Sequence, residues 1–361
     1  MEIEINMINV EDGDAIILML KNSEKKSLIV IDGGYKAHYP KIKKRLEEVL
    51  PLYDNKIDLL ICTHYDNDHI GGVEKILDDY HQIVQEIWIH TIKETVDEEI
   101  HFLGKQLTEL KQNLLLEDID IDSSSKYIIE GYEDLLRVVR KIRDYGLEDK
   151  MSQVFKGKEF GKFPIFSVIG PTYDFYRQNL PALKSEAIEE DLKANFDHRF
   201  SSGIPKLSEY LKNSLNTSGN EADCKNLEVS SLRNGVTATN MVSIVTLLQF
   251  DNKKFLFTGD AGIESFEKHI PNWDTDLKDL YFLDLPHHGS KNNTSKKMID
   301  VFNPNYVFVS ARSRNNRPSS HIESCIKSRK NLVRFEITNR DSKTWYIKID
   351  QDGNFSRIFR I

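Results

Sequence analysis

The sequence predicts an α/β protein of layered architecture, and three observations carry that reading. Short apolar runs alternate with amphipathic helical stretches over roughly the first 92 residues. Similar runs resume near residue 166 and again from residue 242 onward, after two polar stretches. Acidic and imidazole side chains fall just past the C-terminal ends of several runs, where the loops of layered α/β folds converge on ligands.

The elements follow in order. Glu2–Val10 alternates and Ala15–Leu20 is apolar, with Glu11-Asp-Gly-Asp14 as the turn between them. Leu28–Ile31 is a third strand, ended by Asp32-Gly-Gly. Lys41–Leu50 places Ile42, Leu46, Val49 and Leu50 on one helical face, with Lys43, Lys44, Glu47 and Glu48 opposite. Ile57–Cys62 reads as a buried strand running into Thr63-His-Tyr-Asp-Asn-Asp-His-Ile-Gly-Gly72. Helix Val73–Tyr80 and strand Ile87–Ile89 follow. Residues 94–160 are polar and helical in period, with Leu103, Leu107, Leu110 and Leu114 as one stripe and Leu135, Val138, Val139 and Ile142 as another. Phe166–Ile169 returns to strand. Residues 175–235 are again polar. Because strands resume after each, both stretches read as insertions into one core spanning residues 1–361. Val242–Phe250 and Phe255–Thr258 form a hairpin, Leu280–Leu285 and Tyr306–Val309 are buried strands, and Thr344–Ile349 with Phe355–Ile361 is a last hairpin.

Composition excludes several classes. The 361 residues carry 49 Lys/Arg and 57 Asp/Glu, a net charge of −8, with 39% apolar residues. That excludes collagen-like, disulfide-scaffold and wholly disordered chains. A membrane span needs about 18 consecutive apolar residues, and runs such as Ile57–Cys62 reach about a third of that. The N-terminus begins as a strand rather than a signal peptide. Three cysteines without CxxC spacing are too few for a framework and point to a reducing compartment, hence a cytoplasmic protein. From Pro286 onward, fifteen Lys/Arg stand against six Asp/Glu, a local +9 that leaves −17 for the rest. The whole is a poor general DNA coater. Its basic C-terminal part suits a phosphate-bearing substrate held locally.

The chemistry centres on His64-x-Asp66-x-Asp68-His69. Four potential ligands in six residues cannot all reach one ion from an extended chain, so the cluster suits two adjacent divalent ions such as Zn²⁺ or Mn²⁺. Asp260 follows the strand Phe255–Thr258, His287 and His288 follow Leu280–Leu285, and His321 lies after Tyr306–Val309.

The decapeptide Thr63–Gly72 resembles the HxHxDH signature of the metallo-β-lactamase fold, with Asp66 in place of the second histidine. Phe257-Thr-Gly-Asp260 resembles that family's bridging-aspartate motif, and His287-His-Gly-Ser290 its final histidine motif. Together with Asn240 and His321, this ordered set resembles the hydrolase domain of ComEC-type competence proteins and its stand-alone relatives. The resemblance covers about 1–92, 165–172 and 238–361. It implies an αββα sandwich with two mainly helical or polar insertions. It also implies a hydrolase that uses hydroxide bound to two divalent metal ions. One metal would take His64 and Asp66, and the other Asp68, His69 and His288, with Asp260 bridging. His288 is favoured over His287 because it directly precedes the small Gly289, leaving His287 toward substrate. Asp68 would also orient the hydroxide, and Asp14 and Asp32 would stand beneath the site. The family's usual histidine near Thr239-Asn240 is missing, so the first site is one ligand short. His321 either fills that gap or contacts substrate. Arg312, Arg314 and Arg317 would hold phosphate oxygens, with Asn240 and Ser290 also facing substrate. The expected activity is a phosphodiesterase or nuclease. The alternatives are hydrolysis of a small phosphorylated molecule, or a defence-system effector docked to a partner through residues 94–160.

Overall fold

The computed structural model describes residues 1–116, 123–179, 224, 236–312, 317–338, 344–349 and 355–360. Strands that are apolar on both faces dictate its layering. β1 (Glu2–Met7), β2 (Ile16–Lys21) and β3 (Lys26–Ile31) form an antiparallel meander. β4 (Leu59–Ile61), β5 (Ile87–Trp88) and β6 (Met151–Ser152) extend it in parallel. In a second sheet, β7 (Phe166–Gly170), β8 (Val245–Phe250) and β9 (Lys253–Phe257) are antiparallel neighbours. β10 (Phe282–Asp284), β11 (Tyr306–Val309) and β12 (Arg334–Ile337) continue parallel to β9. The chain then returns to the first sheet. β13 (Thr344–Ile349) pairs with β1, opposing Ile347 to Ile5, and β14 (Phe355–Arg360) forms the edge.

β2 shows why these strands read as unbroken apolar runs. Ile17 and Met19 enter one core, whereas Ile16, Leu18 and Leu20 enter another. Burying each such side chain contributes about 1.5–3 kcal/mol. On the outer side, α1 (Tyr39–Val49), α2 (Asn67–Ile70), α3 (Val73–Tyr80), α4 (Val96–Leu116) and α5 (Ser123–Asp144) cover the first sheet through Ile42, Leu46, Ile76, Leu77, Leu135 and Val139. Between the sheets, Leu18, Ile29 and Ile61 meet Phe166, Phe255 and Phe282. The short helices α6 (Tyr173–Asn179) and α7 (Ala238–Met241) precede β8. On the far side, α8 (Lys296–Phe302) and α9 (Ser320–Lys327) lay Met298, Phe302, Ile322 and Ile326 over Leu256, Leu283 and Val307. The layering is helix, sheet, sheet, helix, as expected.

Several expectations need adjustment. α4 and α5 bury Leu103 and Leu107 in the same core as Leu135 and Val138, so at these positions the stripe offered as a partner surface is turned inward. The side chains of Leu110 and Leu114 lie outside the described residues. So does the stretch 175–235 beyond Asn179, apart from Cys224. Cys224 is bonded to Cys325, and Cys62 is a buried thiol. The bonded partners stand 101 residues apart, so no spacing signature announces them. Among the described residues, no helix is long and apolar enough to cross a membrane.

Candidate metal centre

The site is assembled where four strand ends and their loops meet. β4 delivers Thr63 and His64, and Asp66 stands at the start of α2, which carries Asp68 and His69. Gly71-Gly72 lets this loop press against the end of β3. A Cβ on Gly72 would lie 2.0 Å from the Gly33 carbonyl oxygen, so only glycine allows that approach. Across the sandwich, β9 leads to Asp260 and β10 to His287 and His288. These two histidines and Gly289 all take left-handed backbone, at φ 47°, 56° and 77°. Non-glycine residues hold that conformation only where the surroundings enforce it. Here it splays the two imidazoles 79° apart, with ring centres separated by 5.6 Å.

The Asp260 carboxylate is the hub. Its Oδ1 lies 3.1 Å from His69 Nε2 and 3.9 Å from His288 Nε2. Its Oδ2 lies 3.4 Å from His287 Nε2 and 3.8 Å from His64 Nε2, and accepts a hydrogen bond from Asn240 Nδ2 at 3.2 Å. His288 Nε2 is also 3.3 Å from Asp68 Oδ2, and His64 Nε2 is 3.9 Å from Asp66 Oδ2. Asp66 accepts from Thr239 Oγ1 through its other oxygen. Donor atoms of His64, His69 and Asp260 lie within 4.8 Å of one another, as do those of Asp68, His69 and His288.

Hydrogen bonds behind the rings fix which nitrogen faces inward. Asp32 accepts from the Thr63 backbone N–H at 2.7 Å, from Thr63 Oγ1 at 2.6 Å and from His69 Nδ1 at 2.8 Å. Because Thr63 Oγ1 donates to Asp32, its contact with His64 Nδ1 at 3.0 Å must be accepted, which puts that proton on Nδ1. His287 Nδ1 faces Asn293 Oδ1 at 2.9 Å, while Asn293 Nδ2 donates to the Asp260 carbonyl. Three imidazoles therefore hold a proton on Nδ1 and direct Nε2 at carboxylates, which is how second partners orient metal-binding histidines.

These residues fit divalent metal. His64 Nε2 is buried without a hydrogen bond, and Nε2 of His69 and His288 face carboxylates without hydrogen-bond geometry. Carboxylates outweigh what the protein's own groups neutralise. Burial works against charge on His69, yet Asp260, Asp68 and Asp32 raise its pKa well above the usual value. His288 is raised in the same way by Asp260, Asp68 and Asp14. Burial, then Asp68 and Asp260, pushes Asp66 up to about 8. His64 and His287 are lowered to about 3, chiefly by burial.

The remaining candidates divide. Asn240 reaches the site through Asp260. Ser290 donates its backbone N–H to His287 and turns its hydroxyl to the Asn292 N–H. Arg312 pairs with Glu11. Arg314 lies outside the described residues. Arg317, partly buried, is near enough to depress His287 and to act on Tyr35, whose hydroxyl also feels Asp68. His321 sits in α9 and joins none of the ligand groupings. Thr63, Thr239, Asn293 and Tyr35 were not legible as site residues, since single polar residues in loops carry no spacing signal.

The metallo-beta-lactamase superfamily model matches residues 17–126, from β2 through the His64–His69 loop into α5. No curated protein matches. Among solved structures, AidC, a dizinc quorum-quenching lactonase in complex with a product, aligns over 96% of this chain and 80% of its own at 14% identity, with a TM-score of 0.33. Two facing sheets between helices, and a histidine–aspartate cluster at their strand ends, are consistent with the metallo-β-lactamase fold to whose family model residues 17–126 are similar.

Proposed function

We propose that the protein is a two-metal phosphodiesterase, with nucleic acid as the preferred substrate class. The observation that supports this most is the two-sided Asp260 carboxylate, with His69 and His288 toward Oδ1 and His64 and His287 toward Oδ2. Asp68, His69 and His288 would hold one ion, and His64, Asp66 and His287 the other, with Asp260 between them. His287 then takes the ligand place for which His321 was a candidate. When bound, such a pair supplies water acidified toward neutrality and grips two oxygens of an in-line displacement. The chain's own part is positioning. Asn240 holds Asp260, Asp32 and Thr63 hold His69 and His64, and Asn293 holds His287. Aspartates in place of imidazole harden the donor set toward Mn²⁺ and toward phosphoryl oxygens. Arg317 acts electrostatically on His287 and would hold a phosphate oxygen.

The net charge of −8 favours a second reading, hydrolysis of a small phosphorylated molecule. A panel of single- and double-stranded DNA, RNA, bis-p-nitrophenyl phosphate, phosphomonoesters and lactones, with Mn²⁺ against Zn²⁺, separates the readings. Asp260→Ala should abolish turnover while leaving the fold intact, and Arg317→Ala should raise KM for phosphodiesters. Preferred turnover of lactones or monoesters, or Asp260→Ala activity within a few-fold of wild type, defeats the proposal.

A further inference from the structure

The metal loop has an outer side as well as an inner one. In His64-Tyr-Asp-Asn-Asp, the donors His64 and Asp66 point into the site, while Tyr65 and Asn67 point away from it. The outer side is met by α5, most of which lies beyond the stretch matched by the superfamily model.

Three contacts join them. Gly131 packs its backbone on the loop so closely that an added Cβ would lie 2.5 Å from the Tyr65 carbonyl oxygen and 3.5 Å from Asp66 Cα. One turn of helix holds the other two. The Tyr132 ring lies against the Tyr65 ring at 5.5 Å, and buried Asp134 accepts from Asn67 Nδ2 at 2.5 Å. Asp134 is itself held by the Arg137 guanidinium, whose Nε is 3.4 Å from Glu74, and Glu74 pairs with Lys36 at 2.8 Å. The chain of charges therefore runs from α5 through α3 to the segment after β3, and ends on the residue between Asp66 and Asp68.

We infer that α5 is a brace for metal binding, with Gly131 and Asp134 as positioning residues that set the placement of Asp66 and Asp68. The inference rests on the metal reading of the site but not on the substrate. Asn67 touches none of the donor atoms, so any effect of removing its side chain on metal binding must pass through the loop it anchors.

The test uses the metal-free chain of 361 residues. Zn²⁺ and Mn²⁺ are titrated calorimetrically into wild type, Asn67→Ala, Asp134→Ala and the double variant, with Co²⁺ absorption as a report on ligand geometry. Asn67→Ala keeps the Asp134–Arg137 pair and so tests the brace even if Asp134→Ala folds poorly. Its metal affinity should fall about 10–100-fold, the range for partners that orient ligands, with an altered Co²⁺ spectrum and metal-free melting close to wild type. The double variant should bind no more weakly than the weaker single one. Wild-type affinity and spectrum in Asn67→Ala overturn the inference. So does a lowered melting temperature with unchanged affinity, which would make the contact merely structural. Absence of Zn²⁺ and Mn²⁺ binding in wild type would overturn the metal reading as well.

Discussion

Replacing Asp32 with asparagine alters one oxygen and no carbon, yet it should reset two imidazoles. The carboxylate, wholly buried, accepts three hydrogen bonds at 2.6–2.8 Å. An amide can keep one oxygen on the Thr63 backbone N–H, but its NH₂ then faces Thr63 Oγ1 and His69 Nδ1. Both must become acceptors. His69 moves its proton to Nε2, toward Asp260. Thr63 turns its hydroxyl proton to His64 Nδ1, and His64 follows to the Nε2–H form. Neither ring then offers a lone pair to metal. One orienting partner is worth about 10–100-fold in metal affinity, and with two rings affected the loss should lie toward the upper end. The metal-free fold should lose only about 1–3 kcal/mol, the cost of one poorly met buried polar group. Calorimetric Zn²⁺ and Mn²⁺ titrations, thermal unfolding, and ring-nitrogen NMR of His64 and His69 measure the three consequences. Unchanged tautomers together with wild-type affinity would refute the relay from Asp32 through Thr63.

Two further outcomes follow from the same geometry. His287→Ala should raise the metal concentration needed for half-maximal activity, whereas His321→Ala should leave that titration unchanged; the reverse result would return the missing ligand to His321. Metal affinity should also depend on pH. Asp66, raised to about 8 by burial, Asp68 and Asp260, holds its proton at pH 7 in the metal-free protein, and a cation must displace it. Affinity should climb between pH 6 and 8, by up to about tenfold per unit for each proton released, and then level off. The sign for the fold is opposite. A raised carboxyl pKa favours the metal-free native state most below the ordinary value near 4, and that contribution is lost as pH rises through 8. Flat affinity from pH 6 to 9, or proton uptake on metal binding, would contradict this assignment.

Hydrophobic patterning marks most of the elements, and residue spacing marks the histidine–aspartate cluster. Runs such as Ile16–Leu20 and Tyr306–Val309 are buried on both faces, so hydrophobicity marks them without help from tertiary context. His64–His69 is legible because its donors are local and the chemistry needs those residue types together. β12 is not legible in the sequence because Arg334-Phe-Glu-Ile alternates too briefly to stand out, and β6 has only two residues. Tertiary structure alone decided three matters. The left-handed backbone at His287 and His288 depends on the neighbouring loops, and it sends one ring to each oxygen of Asp260. Distance separates the two described arginines, since Arg312 pairs with Glu11 while Arg317 is close enough to act on His287. The close fit of Gly131 against Tyr65 joins residues 66 positions apart in the chain. Such contacts arise from packing of one element on another, and no local pattern of residues encodes them.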